Sequence, residues 1–519
     1  NLRIVNTPVR PFKGTMLVRI PSASLHGIEA YQVEVEVDIS PGLPAFIIVG
    51  LPDAAVRESK ERVRAALRNC GFDFPAKKII INLAPASRKK EGSSFDLPVA
   101  LGLLAFLGVV NRENLNRFLF VGELTLEGSL KSVRGALPFS LLAAEKKLEG
   151  LVLPRKNEKE ACLVRNLPVY GLDHLLEVVK LLNGSDEIKP ASYSLPDLIG
   201  EIRQEVDFYE VRGQQQAKRA LEVAAAGGHN ILLIGPPGSG KTMLARRLPT
   251  ILPDLAFEEI VEVTQIYSSA GLLGGRAVIS QRPFRSPHHT ITDTGLVGGG
   301  NFPRPGEVSL AHRGVLFMDE FPEFGRQALE SLRQPLEDGQ VTISRVASSL
   351  TFPCSFMLVA AMNPCNDVFL GSGNGVNCTE LERRKYYSRL SRPLLDRIDL
   401  QIEVPAIKYQ DITGRPPGEP SAEIKKRVTA ARNIQWERFR GRKIFANSQL
   451  GSKDLCQFCL VEAEGQRLLE TAMKRFQFSA RAYDRILKVA RTIADLAGEE
   501  KLSAAAIAEA VQYRMLDIW

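Results

Sequence analysis

Cysteine is scarce and irregularly placed. There are seven in 519 residues, an odd number without repeating spacing, which excludes the disulfide framework of a small secreted scaffold and agrees with a reducing compartment. Long apolar runs are also missing. The longest, Leu97 to Val110, is interrupted by Pro98, Gly102 and Gly108 and falls short of the roughly 18–20 residues a membrane span requires, so a buried helix is expected there and no membrane association. Low-complexity tracts are absent as well. With 31 Pro and 41 Gly spread along the chain, neither disorder nor a fibrous repeat fits. No basic, apolar leader opens the sequence, and a cytoplasmic protein is expected. One-signed charge is slight: 67 basic against 59 acidic residues give +8. Residues 376–519 hold 26 of the basic and 19 of the acidic ones, so the excess sits at the carboxy-terminal end. That placement favours a polyanionic partner, although a solvated helical surface gives the same count.

What is present divides into domains. In residues 1–185, Val33, Val35, Val37 and Ile39 recur at period two and Ile79 to Leu83 form a short apolar run, which reads as an α+β domain. Residues 186–206 contain a turn-rich stretch with Pro190 and Pro196 and make the linker. From 207 to 410, apolar runs at Ile231 to Ile234, Ile260 to Val263, Val315 to Met318, Met357 to Ala361 and Leu400 to Val404 alternate with helical segments. Five such strands predict a parallel α/β sheet. A Pro- and Gly-rich breaker at 413–420 precedes helical periodicity at Ile486, Val489, Ile493 and Leu496, so 411–519 should be helical.

The motif Gly235-Pro236-Pro237-Gly238-Ser239-Gly240-Lys241-Thr242 follows an apolar strand and opens a helical stretch. Glycines at this spacing let successive backbone N–H groups converge on phosphate oxygens; Lys241 bridges the β and γ phosphates, and the Thr242 hydroxyl ligates Mg²⁺. A second apolar strand ends in Asp319-Glu320, where Asp319 would orient the Mg²⁺ and Glu320 would polarise the attacking water. A third ends in Asn363, placed to reach that water or the γ-phosphate. ATP and Mg²⁺ are the cofactors these residues imply.

With the stretches 304–320 (RPGEVSLAHRGVLFMDE), 389–400 (RLSRPLLDRIDL) and 478–496 (FSARAYDRILKVARTIADL), the chain resembles the AAA+ ATPases, specifically the magnesium-chelatase-like YifB/ComM family. Residues 42–67 and 122–138 look like the same family, so the resemblance covers nearly the whole chain. It implies a P-loop core with a helical lid, preceded by a domain like ribosomal protein S5 and Lon-type proteases. It further implies that Arg397 is an arginine finger inserted into a neighbour's ATP site, that Arg481 is a second sensor on the lid, and that Val211 and Gln214 belong to the adenine pocket. A finger supplied by a neighbour implies a ring, most simply a homo-hexamer. The family's role implies an ATP-dependent DNA helicase that promotes branch migration in homologous recombination, as of DNA taken up in natural transformation, with single-stranded or branched DNA as substrate and recombination proteins as candidate partners.

Two insertions carry the candidate DNA contacts. The segment Arg282-Pro-Phe-Arg285-Ser-Pro-His288-His289 resembles the family's helix-two insert, and residues 340–345 with 350–352 resemble a pre-sensor hairpin around Val-Ala-Ser-Ser. Arg345 at the hairpin tip and Arg282 or Arg285 on the insert would grip the phosphate backbone. Adjacent histidines diverge and no third ligand accompanies His288 and His289, so a structural role near the nucleotide fits them better than a metal.

The resemblance also raises two other functions. A Lon-like protease would use Ser94 as nucleophile, but Leu137 stands where the lysine base belongs, and a serine nucleophile needs a base. A chelatase motor subunit for metal insertion would depend on partner subunits, whereas the fused amino-terminal domain suits a stand-alone motor. Of the family's four-cysteine knuckle only Cys365 and Cys378 remain, and Cys456 and Cys459 lie in a helix-like run. Two thiolates do not close a tetrahedral site, so no structural zinc is expected.

Overall fold

The computed structural model describes residues 16–199, 206–300, 303–345, 348–365, 379–406, 418–442 and 444–515. The chain forms two compact units. One comprises residues 1–201 together with Ile260–Ile279, the other Ile202–Glu259 and Ser280–Trp519.

The first unit is α+β. Strands β1 (Met16–His26), β2 (Glu29–Ser40), β3 (Ala45–Val49) and β4 (Lys78–Ala84) form a sheet in the order β1-β2-β4-β3, antiparallel except for the β3/β4 pair. The period-two residues Val33, Val35, Val37 and Ile39 all face the core, at 2 % exposure or less. Helix α1 (Ala54–Asn69) precedes β4, and α2 (Asp96–Phe106), the expected buried helix, follows it. This helix lies so close to the sheet that a Cβ on Gly102 would fall 2.4 Å from the Val37 side chain. Gly102 thus divides the longest apolar run for a packing reason. A parallel sheet of β5 (Phe118–Phe120), β6 (Gly150–Pro154) and β7 (Val169–Leu172) completes the unit, with α3 (Ala136–Glu145) and α4 (Leu175–Leu182).

The second unit begins with α5 (Gln215–Gly227), β8 (Ile231–Ile234), α6 (Lys241–Ile251) and the start of α7 (Phe257–Ala270). Residues 260–263, expected as a strand, are instead the middle of α7. Ile260, Val263, Ile266 and Tyr267 are buried together, a helical repeat that a four-residue run cannot distinguish from a strand. The strand that takes its place in the sheet is the two-residue β9 (Phe284–Arg285) at the edge. With β10 (Val315–Met318), β13 (Met357–Met362) and β14 (Leu400–Glu403) it gives the order β9-β10-β13-β8-β14, parallel throughout. An antiparallel hairpin, β11 (Gln340–Arg345) with β12 (Ser348–Pro353), precedes β13; its second strand starts two residues earlier than the sequence predicts.

Helices α8 (Ser421–Arg438), α9 (Ala463–Phe476), α10 (Ala480–Ala497) and α11 (Ala504–Gln512) end the described chain. Leu233, Phe317 and Val359 from the sheet share one core with Leu221 of α5, Leu248 of α6 and Ile486 of α10. Each such side chain contributes about 1.5–3 kcal/mol by burial. Among the described residues no helix is long and apolar enough to cross a membrane.

Candidate nucleotide site

Parallel register brings three loops to one edge of the sheet. Ile234 lies beside Met362, and Met318 beside Ala360, so Gly235, Asp319 and Asn363 all leave the sheet at its carboxyl end, where α/β sheets bind ligands. The Gly235 amide donates to the Met362 carbonyl at 3.2 Å. A Cβ at Gly235 would lie 2.1 Å from the Val404 carbonyl, so the loop passes where only glycine fits. Gly238 and Gly240 take positive φ of 77° and 85°, and nothing lies within 4 Å of a Cβ built on Gly238. Helix α6 starts at Lys241 with no side chain capping its first turn, leaving its amide dipoles to a bound anion.

Lys241 is buried, and its ammonium donates to the Gly235 carbonyl (2.6 Å), the Pro236 carbonyl (2.9 Å) and Asn363 Oδ1 (3.0 Å), with the buried Ser239 hydroxyl at 3.4 Å. Pro237 completes the turn. Thr242 Oγ1 donates to Asp319 Oδ2 at 2.6 Å, and the Glu320 amide to Asp319 Oδ1 at 3.0 Å. A hydroxyl and a carboxylate held together are the hard oxygen donors that Mg²⁺ takes beside nucleotide phosphates. On the other side of the loop, Gln214 sits at φ 53° and donates Nε2 to the Ser239 carbonyl at 2.6 Å. Its Oε1 is buried without a hydrogen-bond partner, an acceptor that a ligand donor would satisfy. Val211 is fully buried nearby, and Lys218 Nζ donates to its carbonyl. The glycine cradle, the Thr242/Asp319 pair and the orphaned Gln214 oxygen fit a magnesium nucleotide.

Two contacts here have no sequence signature. The Glu320 backbone is left-handed, at φ 52°, uncommon for a residue with a Cβ, and its carboxylate lies 3.2 Å from His289 Nδ1. Tyr386 Oη donates to the Asn363 carbonyl at 2.9 Å, fixing the loop that carries the amide. No metal-ligand spacing accompanies His289, so only the fold could connect it to Glu320.

The two arginines read as finger and sensor converge on Glu337. Arg397 is buried, donates to the Pro393 carbonyl at 2.5 Å and pairs with Glu337. That hydrogen bond, with Arg481 and Arg485 adding field, holds the Glu337 carboxyl below its ordinary range. Arg481 is exposed in the first turn of α10, behind an N-cap in which Ser479 accepts from the Ala482 amide. Arg485, one turn on, donates to Asp399, which is 1 % exposed. His229, wholly buried, joins Asp399 (2.9 Å) to Thr492 of α10 (2.8 Å). The segment carrying Arg397 is therefore tied to α10 through buried polar groups. Burial acts to raise the Asp399 carboxyl, but the Arg485 charge and the His229 hydrogen bond outweigh it and hold the group well below the usual carboxylate range.

The three DNA candidates part company. Arg282 is not free to grip a backbone: its guanidinium donates to the carbonyls of Pro253 (2.6 Å), Arg313 (2.7 Å) and Asp254 (3.3 Å) and to Glu259 (3.0 Å). It is an internal clamp. Arg285 forms a two-pronged pair with Glu307 at 2.6 and 2.7 Å and stays partly exposed. The Arg345 side chain lies outside the described residues.

In the first unit Leu137 is buried and its amide donates to Glu160, while Ser94 is buried and its carbonyl accepts from the Gly122 amide at 2.9 Å. Cys365 is disulfide-bonded, a crosslink that irregular cysteine spacing did not disclose, and Cys378 lies outside the described residues. Cys459 packs in the core with its thiol at 3.8 Å from the Leu487 carbonyl, and Cys456 is exposed. Among the described residues no group of three or more His, Cys, Asp or Glu side chains is placed to hold a metal.

Comparison with known proteins follows the same division. The family described as magnesium chelatase, subunit ChlI, matches residues 207–412, its carboxy-terminal counterpart matches 418–514, and a further ChlI family matches 35–157. The competence protein ComM of Haemophilus influenzae is 44% identical over 505 residues, covering 96% of this chain and 98% of that protein. The protein YifB of Escherichia coli is 44% identical over 495 residues, covering 95% and 96%. The magnesium-chelatase 67 kDa subunit of Chlorobaculum parvum is 28% identical over 163 residues, 31% of this chain and 23% of that protein.

Proposed function

Because the chain belongs to the magnesium-chelatase-like AAA+ ATPase family that includes YifB and ComM, we propose that it is an ATP-driven motor working on DNA as a homo-hexameric ring. In this reading the phosphates lie on the amides of 235–242, Lys241 neutralises the β and γ oxygens, and Thr242 with Asp319 holds the Mg²⁺. The metal supplies charge neutralisation at the transferred phosphoryl group. Glu320 draws the proton from the attacking water, and Asn363 orients it. Gln214 and Val211 border the base.

The observation that carries the shared-site part is the surroundings of Arg397. Among the described residues its guanidinium is held by Glu337 and the Pro393 carbonyl, neither of them a member of the phosphate cradle, and a finger that serves a neighbour's nucleotide needs such a position. The near-complete coverage of a competence protein and the basic carboxy-terminal end support DNA as the track and branch migration of incoming DNA as the task. The chelatase subunit matches less than a third of the chain, which favours a metal-inserting motor far less. The test is ATPase activity with and without forked or three-way-junction DNA at several salt concentrations. Stimulation that fades steeply as salt rises supports the proposal; turnover indifferent to DNA contradicts it.

A further inference from the structure

A cavity of about 350 Å³ lies within the first unit, outside everything used above. Three short stretches enclose it: the segment leading into α3, the turn and one-turn helix over 155–161, and the glycine-rich loop that leaves α7. Internal hydrogen bonds fix these walls to one another. Asn157 exchanges bonds with the backbone of Val133 at 2.9 and 2.8 Å, and Glu160 accepts from the Leu137 amide at 2.9 Å and from the Ser268 hydroxyl. The one carboxylate of the lining is thereby buried and occupied.

The remaining charge is all positive. Arg134, Lys156, Lys159 and Arg276 line the opening and are exposed, and none makes an ion pair among the described residues. Lys159 lies 5.7 Å from the Tyr193 ring centre, and Arg276 Nε donates to the Leu273 carbonyl at 3.3 Å. Their neighbour Arg155 behaves differently, being paired with Asp173. In the loop, Gly274 and Gly275 have φ of 60° and 83°, and nothing lies within 4 Å of a Cβ on either. Their amides bond nothing among the described residues. Backbone amides left without acceptors in a turn can receive an anion, and the four cations without ion-pair partners line the same cavity, so both features are satisfied by one polyanion.

We propose that this cavity binds the phosphodiester backbone of a nucleic-acid strand, as a second polyanion site separate from the ATP cradle. The inference rests on the DNA reading above for its ligand. Long, exposed lysine and arginine stems around an open concavity suit an extended backbone, whereas a small free phosphate would be better held by buried donors.

The experiment measures binding of a labelled single-stranded oligonucleotide to the full chain across a salt series, for wild type, Arg134→Ala/Lys156→Ala and the charge-keeping Arg134→Lys/Lys156→Arg. Two lost phosphate contacts reduce the steepness of log K against log salt by about 1.4. The expected result is that reduction in the alanine pair only, with ATPase activity in the absence of DNA unchanged in all three. Wild-type binding with the same slope in all three overturns this proposal and leaves the motor reading standing. No wild-type binding overturns both. A competition arm separates the ligand sources: if free pyrophosphate occupies the cavity and the oligonucleotide slope does not respond to the alanine pair, the backbone assignment is wrong.

Discussion

Two inactive variants should restore one another. Arg397→Ala removes a guanidinium tied in its own subunit to Glu337, which is 56% exposed, and to one carbonyl. The arginine is buried but the Glu337 end of the pair is exposed, so the carboxylate freed by the substitution returns to water and no charge is left buried unpaired, and the thermal midpoint should move by only a few degrees. Catalysis should fall far more, because a finger stabilising transition-state charge contributes about 10³–10⁵ in rate. Lys241→Ala is the complement: it loses the ammonium proposed to bind the phosphates, held between Gly235, Pro236 and Asn363, and keeps Arg397. In an equimolar mixed ring about a quarter of the interfaces place an intact Lys241 against an intact Arg397 from the neighbour. A steady-state phosphate-release assay on the mixture should therefore recover up to about a quarter of wild-type turnover, from two parents that have almost none. If mixed rings form, as cross-linking between differently tagged subunits would establish, and turnover stays at the parental level, Arg397 does not act in trans.

Four further outcomes are expected. Glu320→Gln should bind nucleotide with near-normal affinity yet lose hydrolysis by at least about 10², as calorimetric binding beside phosphate release would register. His289→Ala should lower kcat severalfold at unchanged KM, because the Glu320 carboxylate loses the imidazole 3.2 Å away that aligns it. Asp399→Ala strips the buried partner from Arg485 and His229 and should cost about 3–5 kcal/mol in denaturant unfolding. The same cluster sets an acid limit. Burial disfavours the charged ring of His229 and, helped by Lys488 and Arg485, keeps it below its ordinary 6.5 despite Asp399. The unfolded chain then takes up a proton that the folded one refuses, so stability declines as pH drops below about 6.5. His229→Gln should flatten the midpoint curve between pH 7 and 5, and a curve as steep as wild type would remove His229 as the cause.

Legibility in the sequence followed the range of the signal. The phosphate loop, Asp319-Glu320 and Asn363 each end an apolar strand, so their neighbours in sequence disclose them, and parallel register then places Gly235, Asp319 and Asn363 at one edge. Residues 260–263 misled because four residues hold barely one helical turn, and the true edge strand, Phe284–Arg285, is too short to leave a period. Arg282 looked available because charge patterns do not disclose the carbonyls of residues 253 and 313 waiting for it. The buried bridge from His229 to Asp399 and Thr492 spans 170 and 263 positions, beyond any local motif. His289 was readable as part of an insert but not as the companion of Glu320. The unpaired cations around the first-unit cavity come from three separate stretches of chain, and no one of them is basic enough to draw notice by itself.

In the proposed function, ATP hydrolysis at the Lys241/Asp319 cradle drives movement along DNA. The most direct measurement is strand separation of a synthetic three-way junction by the purified full chain with ATP and Mg²⁺, with Lys241→Ala as the control. Junction dissociation by the wild type should require hydrolysable ATP and vanish in the variant. A wild-type protein that hydrolyses ATP at full rate in the presence of the junction and leaves every strand paired would contradict it.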